Sequence, residues 1–172
     1  NPGGGNSGAS YVVFGANFTG DVSFLGDSNA NTLTGTAAAE NFVAGQGADT
    51  ISGGGGNDVI RGGSGNDILI GGSGTDQVEQ SVDGDQVLTN TQLTGRGNDT
   101  LSSIESGVLS GGSSANLITA EAFTNGPVTL DGGSGNDTLI GSPASDSLTG
   151  GSGTDRVRQT ADNDQIATDS QL

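Results

Sequence analysis

The chain of 172 residues contains no cysteine and no histidine. Without cysteine there is no disulfide framework and no thiol chemistry. Without histidine the commonest general base and the commonest zinc ligand are both missing. Aromatic residues make up 3% of the chain and hydrophobic residues 30%, too little for an ordinary globular core. Lysine and arginine number four against twenty acids, a formal charge of −16, so nucleic acid and anionic membrane surfaces are poor partners. No apolar run approaches the length of a membrane span, so no membrane insertion is expected from this segment. No basic-then-apolar leader opens the sequence, which reads as a piece of a longer parent chain. Low hydrophobicity with high net charge is the mark of disorder, because too little apolar surface is buried to offset chain entropy. Thirty-four glycines raise that cost further. The regular placing of the acids reverses the expectation, provided something cationic binds them.

That regularity is a nine-residue period. It is clearest in Gly53 to Arg61 (GGGGNDVIR), Gly62 to Ile70 (GGSGNDILI) and Gly71 to Glu79 (GGSGTDQVE), and it returns in Gly132 to Ile140 (GGSGNDTLI) and Gly150 to Arg158 (GGSGTDRVR). Each unit has a glycine-rich opening, an aspartate at its sixth place and an aliphatic residue at its eighth. The frame extends back through Ala44 to Ser52, Gly35 to Val43 and Gly26 to Thr34, and forward through Gln80 to Leu88, seven units in unbroken register. Each unit predicts a six-residue turn followed by a three-residue strand whose middle side chain points inward. Leu33, Ile51, Leu69 and Val87 would line one sheet, and Phe42, Ile60 and Val78 the facing one. Two units then close one coil of eighteen residues: an all-β, parallel β-roll or β-helix solenoid.

A second repeat overlies the first, since Gly71 to Leu93 aligns with Gly150 to Leu172 at an offset of 79 residues. Residues 26–88 read as a first block and 132–172 as a second, truncated one. Residues 89–131 read as a degenerate and mostly metal-free continuation, with one near-complete unit at Thr94 to Ser102 and one degenerate unit at Gly111 to Thr119. Strand-like alternation recurs there in Gly107 to Ser110 and Val128 to Leu130. Residues 1–10, rich in Gly, Ser and Asn, read as a flexible linker, and 11–25 as capping strands. Within the latter, Tyr11 to Gly15 (YVVFG) resembles the closing strand of an FG-GAP repeat and equally fits an ordinary capping strand.

An isolated Gly-Asn-Asp triplet is a turn former and nothing more. Aspartates spaced by nine without a gap call for a cation, and the units resemble the RTX, or hemolysin-type, calcium-binding nonapeptide of bacterial proteins. The resemblance implies several calcium ions, each held between turns one coil apart. Each turn would give carbonyls from its first four places and a carboxylate oxygen from its sixth. Carried onto this sequence, the turn places are Gly45 and Gly47; Gly53, Gly54, Gly55 and Gly56; Gly62, Gly63, Ser64 and Gly65; and Gly71, Gly72, Ser73 and Gly74. In the second block they are Gly132, Gly133, Ser134 and Gly135, then Gly150, Gly151, Ser152 and Gly153. The strongest carboxylate pairs are Asp49 with Asp67, Asp58 with Asp76, and Asp137 with Asp155. Weaker pairs are Asp67 with Asp85 and Asp146 with Asp164, where one turn lacks its glycines. Glu40 with Asp58 has a longer acid, Asn31 with Asp49 has one charge fewer, and Asp99 finds no acid eighteen residues on. Magnesium is disfavoured because that ion holds on to its waters.

The resemblance further implies a module of a large secreted or cell-surface protein that folds on meeting extracellular calcium, with a structural, secretion-linked or adhesive role. The alternative is an accessory C-terminal module of a secreted enzyme or an RTX toxin. The chain itself shows no HExxH zinc motif and no G-x-S-x-G elbow, so it is not read as an enzyme. An ice-binding face would need a regular outward threonine ladder, and the seventh places read Thr32, Asn41, Thr50, Val59, Ile68 and Gln77.

Overall fold

The eighth-place side chains turn inward and stack. Leu33, Phe42, Ile51, Ile60, Leu69 and Val78 are all fully buried. The computed structural model describes residues 22–160 and the backbone of the strand at 166–169. The linker at 1–10, the FG-GAP-like stretch Tyr11 to Gly15 and Asp164 lie outside the described residues.

The described residues form strands joined by turns, and no helix occurs among them. The first nine strands are β1 (Phe24–Leu25), β2 (Thr32–Thr34), β3 (Asn41–Gln46), β4 (Thr50–Gly55), β5 (Val59–Ser64), β6 (Ile68–Ser73), β7 (Gln77–Ser81), β8 (Gln86–Thr89) and β9 (Gln92–Thr94). There follow β10 (Asn98–Ser102), β11 (Ser106–Ser110), β12 (Leu117–Ala122), β13 (Val128–Asp131), β14 (Thr138–Ile140), β15 (Ser147–Gly151), β16 (Arg156–Arg158) and β17 (Ile166–Asp169). The odd-numbered strands other than β9 build one sheet, in the order β1-β3-β5-β7-β11-β13-β15-β17. The other runs β16-β14-β12-β8-β9-β10-β6-β4-β2. Apart from the pairings of β9, every ladder among the described strands is parallel, as a chain returning in the same direction after each coil requires.

In the first block the register is the expected eighteen residues. Leu33 lies beside Ile51 and Ile51 beside Leu69 in one sheet, and Phe42 beside Ile60 and Ile60 beside Val78 in the other. Burying each such side chain contributes roughly 1.5–3 kcal/mol. Phe24 extends the second row and stacks on Phe42, ring centroids 4.7 Å apart. The solenoid also runs through the middle of the chain, where β11 pairs with β7 and with β13.

One expectation fails in the unit Gln80 to Leu88, which has lost its opening glycines. Instead of joining β6, β8 folds into an antiparallel meander with β9 and β10, and it is β10 that lies parallel to β6. Val87 consequently faces solvent at 38% exposure while Leu88 is fully buried. A one-residue slip moves a whole strand face from core to solvent. The slip is held by Gln80, whose amide donates to the Gln86 side chain at 3.1 Å and to the Thr94 carbonyl at 2.9 Å. The unbroken register therefore ends at Glu79, and the next coil steps by 32 residues from β6 to β10 and by 29 from Asp76 to Glu105.

The coils approach closely enough to exclude side chains at particular places. Gly65 has φ +136, and a Cβ there would overlap the Gly47 carbonyl oxygen. Gly65→Ala is expected to destabilise the fold by about 3 kcal/mol or more. Gly84, with nothing within 4 Å of its Cβ position, should tolerate alanine or gain up to about 1 kcal/mol. Urea midpoints of the two variants, measured in one buffer, check the contrast; equal midpoints would contradict the stacking.

Candidate metal centre

Each turn is shaped by its glycines before any side chain enters. The second and fourth places hold a left-handed backbone, as at Gly72 (φ +115) and Gly74 (φ +137). There the carbonyls of Gly54 and Gly56 from the preceding coil occupy the space a Cβ would take. Carbonyls of successive turns are thereby brought together along each edge of the solenoid, which only glycine permits.

The sixth-place aspartate then divides its two oxygens between two tasks. Oδ1 accepts the backbone N–H of the sixth-place residue one coil earlier. Asn31 donates to Asp49 at 2.7 Å, Glu40 to Asp58 at 2.8 Å, Asp49 to Asp67 at 2.9 Å, and Asp58 to Asp76 at 2.8 Å. In the second block Asn116 donates to Asp137 at 2.7 Å and Asp137 to Asp155 at 2.8 Å. Oδ2 is buried and has no hydrogen-bond partner in Asp49, Asp58, Asp67, Asp76, Asp137 and Asp155. In Asp58, Asp67, Asp76, Asp137 and Asp155 it points toward the first-place glycine of its own turn, and at Gly53 and Gly132 the first-place carbonyl of the next coil approaches the same point. At Gly53 those neighbours are Asp58 Oδ2 and the Gly71 carbonyl, and at Gly132 they are Asp137 Oδ2 and the Gly150 carbonyl. Among the described residues no group of three carboxylates converges, so a cation at these points would rest on carboxylate and carbonyl oxygens together. Hard cations of the calcium type take that donor set.

Electrostatics carry the same message. Burial pushes the carboxyls of Asp49, Asp58, Asp67 and Asp137 above the ordinary range, and the like charge of a stacked neighbour adds to this for Asp49, Asp58 and Asp137. Asp99, also buried, is raised to about 6. A buried carboxylate oxygen with nothing to accept from costs free energy unless a proton or a cation neutralises it.

The three strongest pairs named from the sequence are brought together in adjacent coils, and among the described residues they hold all six of the buried, unpartnered carboxylate oxygens. The pairing of Asp67 with Asp85 does not form. Asp67 donates its N–H to Asp99 at 3.0 Å, and Asp85 accepts the Leu117 N–H at 2.8 Å, because the meander has moved β8 outward. Asp146 is satisfied on both sides, by Val128 N–H at 2.8 Å and Ser142 Oγ at 2.7 Å on Oδ1 and by Gln159 Nε2 at 2.7 Å on Oδ2. Asn31 and Asn116 close their own turns, accepting from Asp27 N–H and Gly112 N–H. Glu40 does likewise with Thr36. The third-place serines make slight contacts: Ser73 Oγ reaches the Gly54 carbonyl at 3.4 Å, and Ser152 Oγ donates to Ser134 Oγ at 3.0 Å.

Two features escaped the sequence reading. The fifth-place asparagines form a ladder, with Asn57 Oδ1 accepting from Thr75 N–H, Asn66 from Asn98 and Asn136 from Thr154 at 2.8–2.9 Å. The Asn before Asp58, Asp67, Asp99 and Asp137 was the available signal. Asp83, outside the frame, accepts from Ser114 N–H at 2.9 Å and from the Ser113 and Ser114 hydroxyls, and these bonds hold its carboxyl down to about 2.

The family model of the RTX calcium-binding nonapeptide repeat matches four copies, over residues 43–78 and 131–166. No curated protein matches the chain.

The raised carboxyls give the cation-free chain a definite pH response. A folded-state pKa above the unfolded value of about 3.9 means that the folded state binds more protons between that value and about 6, so stability falls as pH rises through the window. Asp83 stays ionised in both states over most of this range and does not reverse the sign. The far-UV β signal of calcium-stripped protein is therefore expected to be larger at pH 4.5 than at pH 6.5 and to level above that. A β signal that grows from pH 4.5 to pH 6.5 would contradict the assignment.

Proposed function

We propose that this chain, which carries RTX calcium-binding nonapeptide repeats, is a calcium-dependent β-roll module whose three stacked aspartate pairs each hold one ion. RTX nonapeptide repeats bind calcium, and the observation supporting these particular positions is the set of six buried, unpartnered Oδ2 atoms confined to those pairs. Asp49 with Asp67, Asp58 with Asp76 and Asp137 with Asp155 supply the carboxylates. The glycine turns Ala44–Gly47, Gly53–Gly56, Gly62–Gly65 and Gly71–Gly74 supply carbonyls in the first block, and Gly132–Gly135 and Gly150–Gly153 do so in the second. Asp85 and Asp146 are left out, because their oxygens are engaged by hydrogen bonds. Bound calcium neutralises the paired charge and satisfies oxygens that no protein group reaches.

Extracellular calcium modules dissociate at about 10⁻⁴–10⁻³ M. At ~10 mM calcium each such site adds roughly 1.4–2.7 kcal/mol by mass action. Three sites contribute about 4–8 kcal/mol, of the order of a whole domain's stability, so binding and folding form one event. A chain with these properties is unfolded where calcium is scarce and folded where it is abundant, which suits a structural, secretion-linked or adhesive part of a large secreted or surface protein.

Far-UV circular dichroism during calcium titration of stripped protein tests this reading. The expected result is a cooperative gain of β signal in the millimolar range that magnesium does not reproduce. Asp58→Asn keeps an acceptor for the Glu40 N–H and removes the unpartnered charge, so its transition should move to roughly threefold or more higher calcium. A β signal already complete in chelator, unchanged on adding calcium, would defeat the proposal.

A further inference from the structure

The regular stacks pair one nonapeptide turn with another, but one of the six unpartnered oxygens faces a segment that is not a repeat. Asp76 is fully buried and its Oδ2 has no partner. Its coil neighbour is Ser103–Glu105, three residues between Ser102 and Ser106 where the register partners Ile70 and Gln77 are separated by the six of Gly71–Asp76, and lying outside the family match. This short link reproduces two features of a full turn. Glu105 Oε2 accepts the Asp76 N–H at 2.9 Å, the bond that a sixth-place Asp Oδ1 makes elsewhere. The Ser103 carbonyl and Asp76 Oδ2 flank a single point, the empty Cβ position of Gly71. The Gly71 carbonyl and Asp58 Oδ2 flank Gly53 in the same way. Ser103 carries the one positive φ of a non-glycine among the described residues, +52. A left-handed serine costs free energy that a simple link need not bear. Ile104, between the two, is fully buried and anchors the link in the core.

The corresponding place on the other edge is built differently. There the Thr94 carbonyl accepts from Gln80 and does not stand beside Gly62. A next-coil carbonyl also stands beside Gly26, Gly35 and Gly111, but the side-chain oxygen there belongs to Asn31, Glu40 or Asn116 and is closed onto its own turn, whereas beside Gly71 it is the unpartnered Oδ2 of Asp76.

We infer that Asp76, which also serves the ion of the Asp58 pair, shares its carboxylate with a further calcium site completed by the Ser103 carbonyl and Glu105, in which a three-residue link takes the part of a nonapeptide turn and closes the cation column of the first block. The inference rests on the calcium reading of the repeats and adds an ion that the repeat spacing does not assign. Glu105 contributes its second oxygen, Oε1, while Oε2 remains on the Asp76 N–H. The site ties β7 to β11 across the point where the meander interrupts the eighteen-residue step.

Equilibrium dialysis against radioactive calcium tests the site by difference. Glu105→Gln retains an acceptor for the Asp76 N–H and is expected to lose one ion, or to bind it at least tenfold more weakly, with the other ions retained. Glu121→Gln, an exposed acid paired with Arg158, removes the same charge and should keep the wild-type count. An unchanged count in Glu105→Gln, or an equal loss in Glu121→Gln, overturns the site. A wild-type chain that takes up no calcium overturns the underlying reading, which is a separate and recognisable result. Should Glu105→Gln fail to fold, the wild type still decides, because the chain has four glutamates whose carboxyl carbons can be followed singly by NMR. Trace manganese exchanged into the calcium-loaded chain should broaden the Glu105 carboxyl and leave Glu121 sharp, and a sharp Glu105 signal overturns the proposal.

Discussion

The structure depends on how one carboxylate is shared between two neighbours. At the sixth place of each complete unit, one aspartate oxygen accepts a backbone N–H from the coil before it and so fixes the stacking. The other is carried into the same buried edge with nothing to accept from. An amide at this place settles for less. Asn31 and Asn116 turn their oxygens onto their own turns, at Asp27 and Gly112, and leave no unpartnered atom. Aspartate is therefore required by something other than turn formation, and the leftover oxygen identifies it as a need for positive charge.

Stacking sharpens that need. Coils in a parallel sheet lie about 4.8 Å apart, and two unit charges at such a distance repel by roughly 3 kcal/mol at an effective dielectric of about 20. The fold repeats this juxtaposition down both edges in a chain of formal charge −16 with four basic residues. Those few basic groups lie elsewhere: Arg61 pairs with Glu79 and Arg158 with Glu121. The aspartate columns thus have no cationic side chain to neutralise them; burial raises the carboxyls of Asp49, Asp58, Asp67 and Asp137, and the like charge of a stacked neighbour adds to this in Asp49, Asp58 and Asp137. The protein is built with a charge deficit that its own basic side chains do not fill, in repeats of a calcium-binding family.

Much of this could be read from residue spacing. The eighth places predicted the two inward rows, and a step of two units predicted which aspartates would meet. The spacing lost its hold where the unit did. In Gln80 to Leu88 the pattern Gln-Val-Leu lets either Val87 or Leu88 face inward, and the choice was made by distant partners: Leu93 across the meander and the Gln80 amide. Thr89 to Gln92 carries no glycine or proline to announce the hairpin. The partnership of Asp67 with Asp99 follows from that hairpin alone, since 32 residues separate them. Ser103 and Glu105 belong to no frame, so their positions emerge only when β10 and β11 are set beside β6 and β7.

The interruption also divides the solenoid by the way each part is held. Among the described residues, no carboxylate oxygen is buried without a partner between Asp76 and Asp137. Asp83, Asp85 and Asn116 are engaged by backbone N–H groups or by their own turn, Gln86 donates to the Ser110 carbonyl, and Asn125 donates to the Ile104 carbonyl. The same stretch carries Leu88, Leu93, Leu101, Ile104, Leu109, Phe123 and Leu130 in its core, more hydrocarbon than the glycine-rich blocks on either side. In a solenoid each coil is stabilised by its immediate neighbours, so the apolar burial and closed hydrogen bonds of the middle segment also support the coils on either side of it. The departures from the repeat therefore supply side-chain packing between two stacks whose edges carry paired carboxylates.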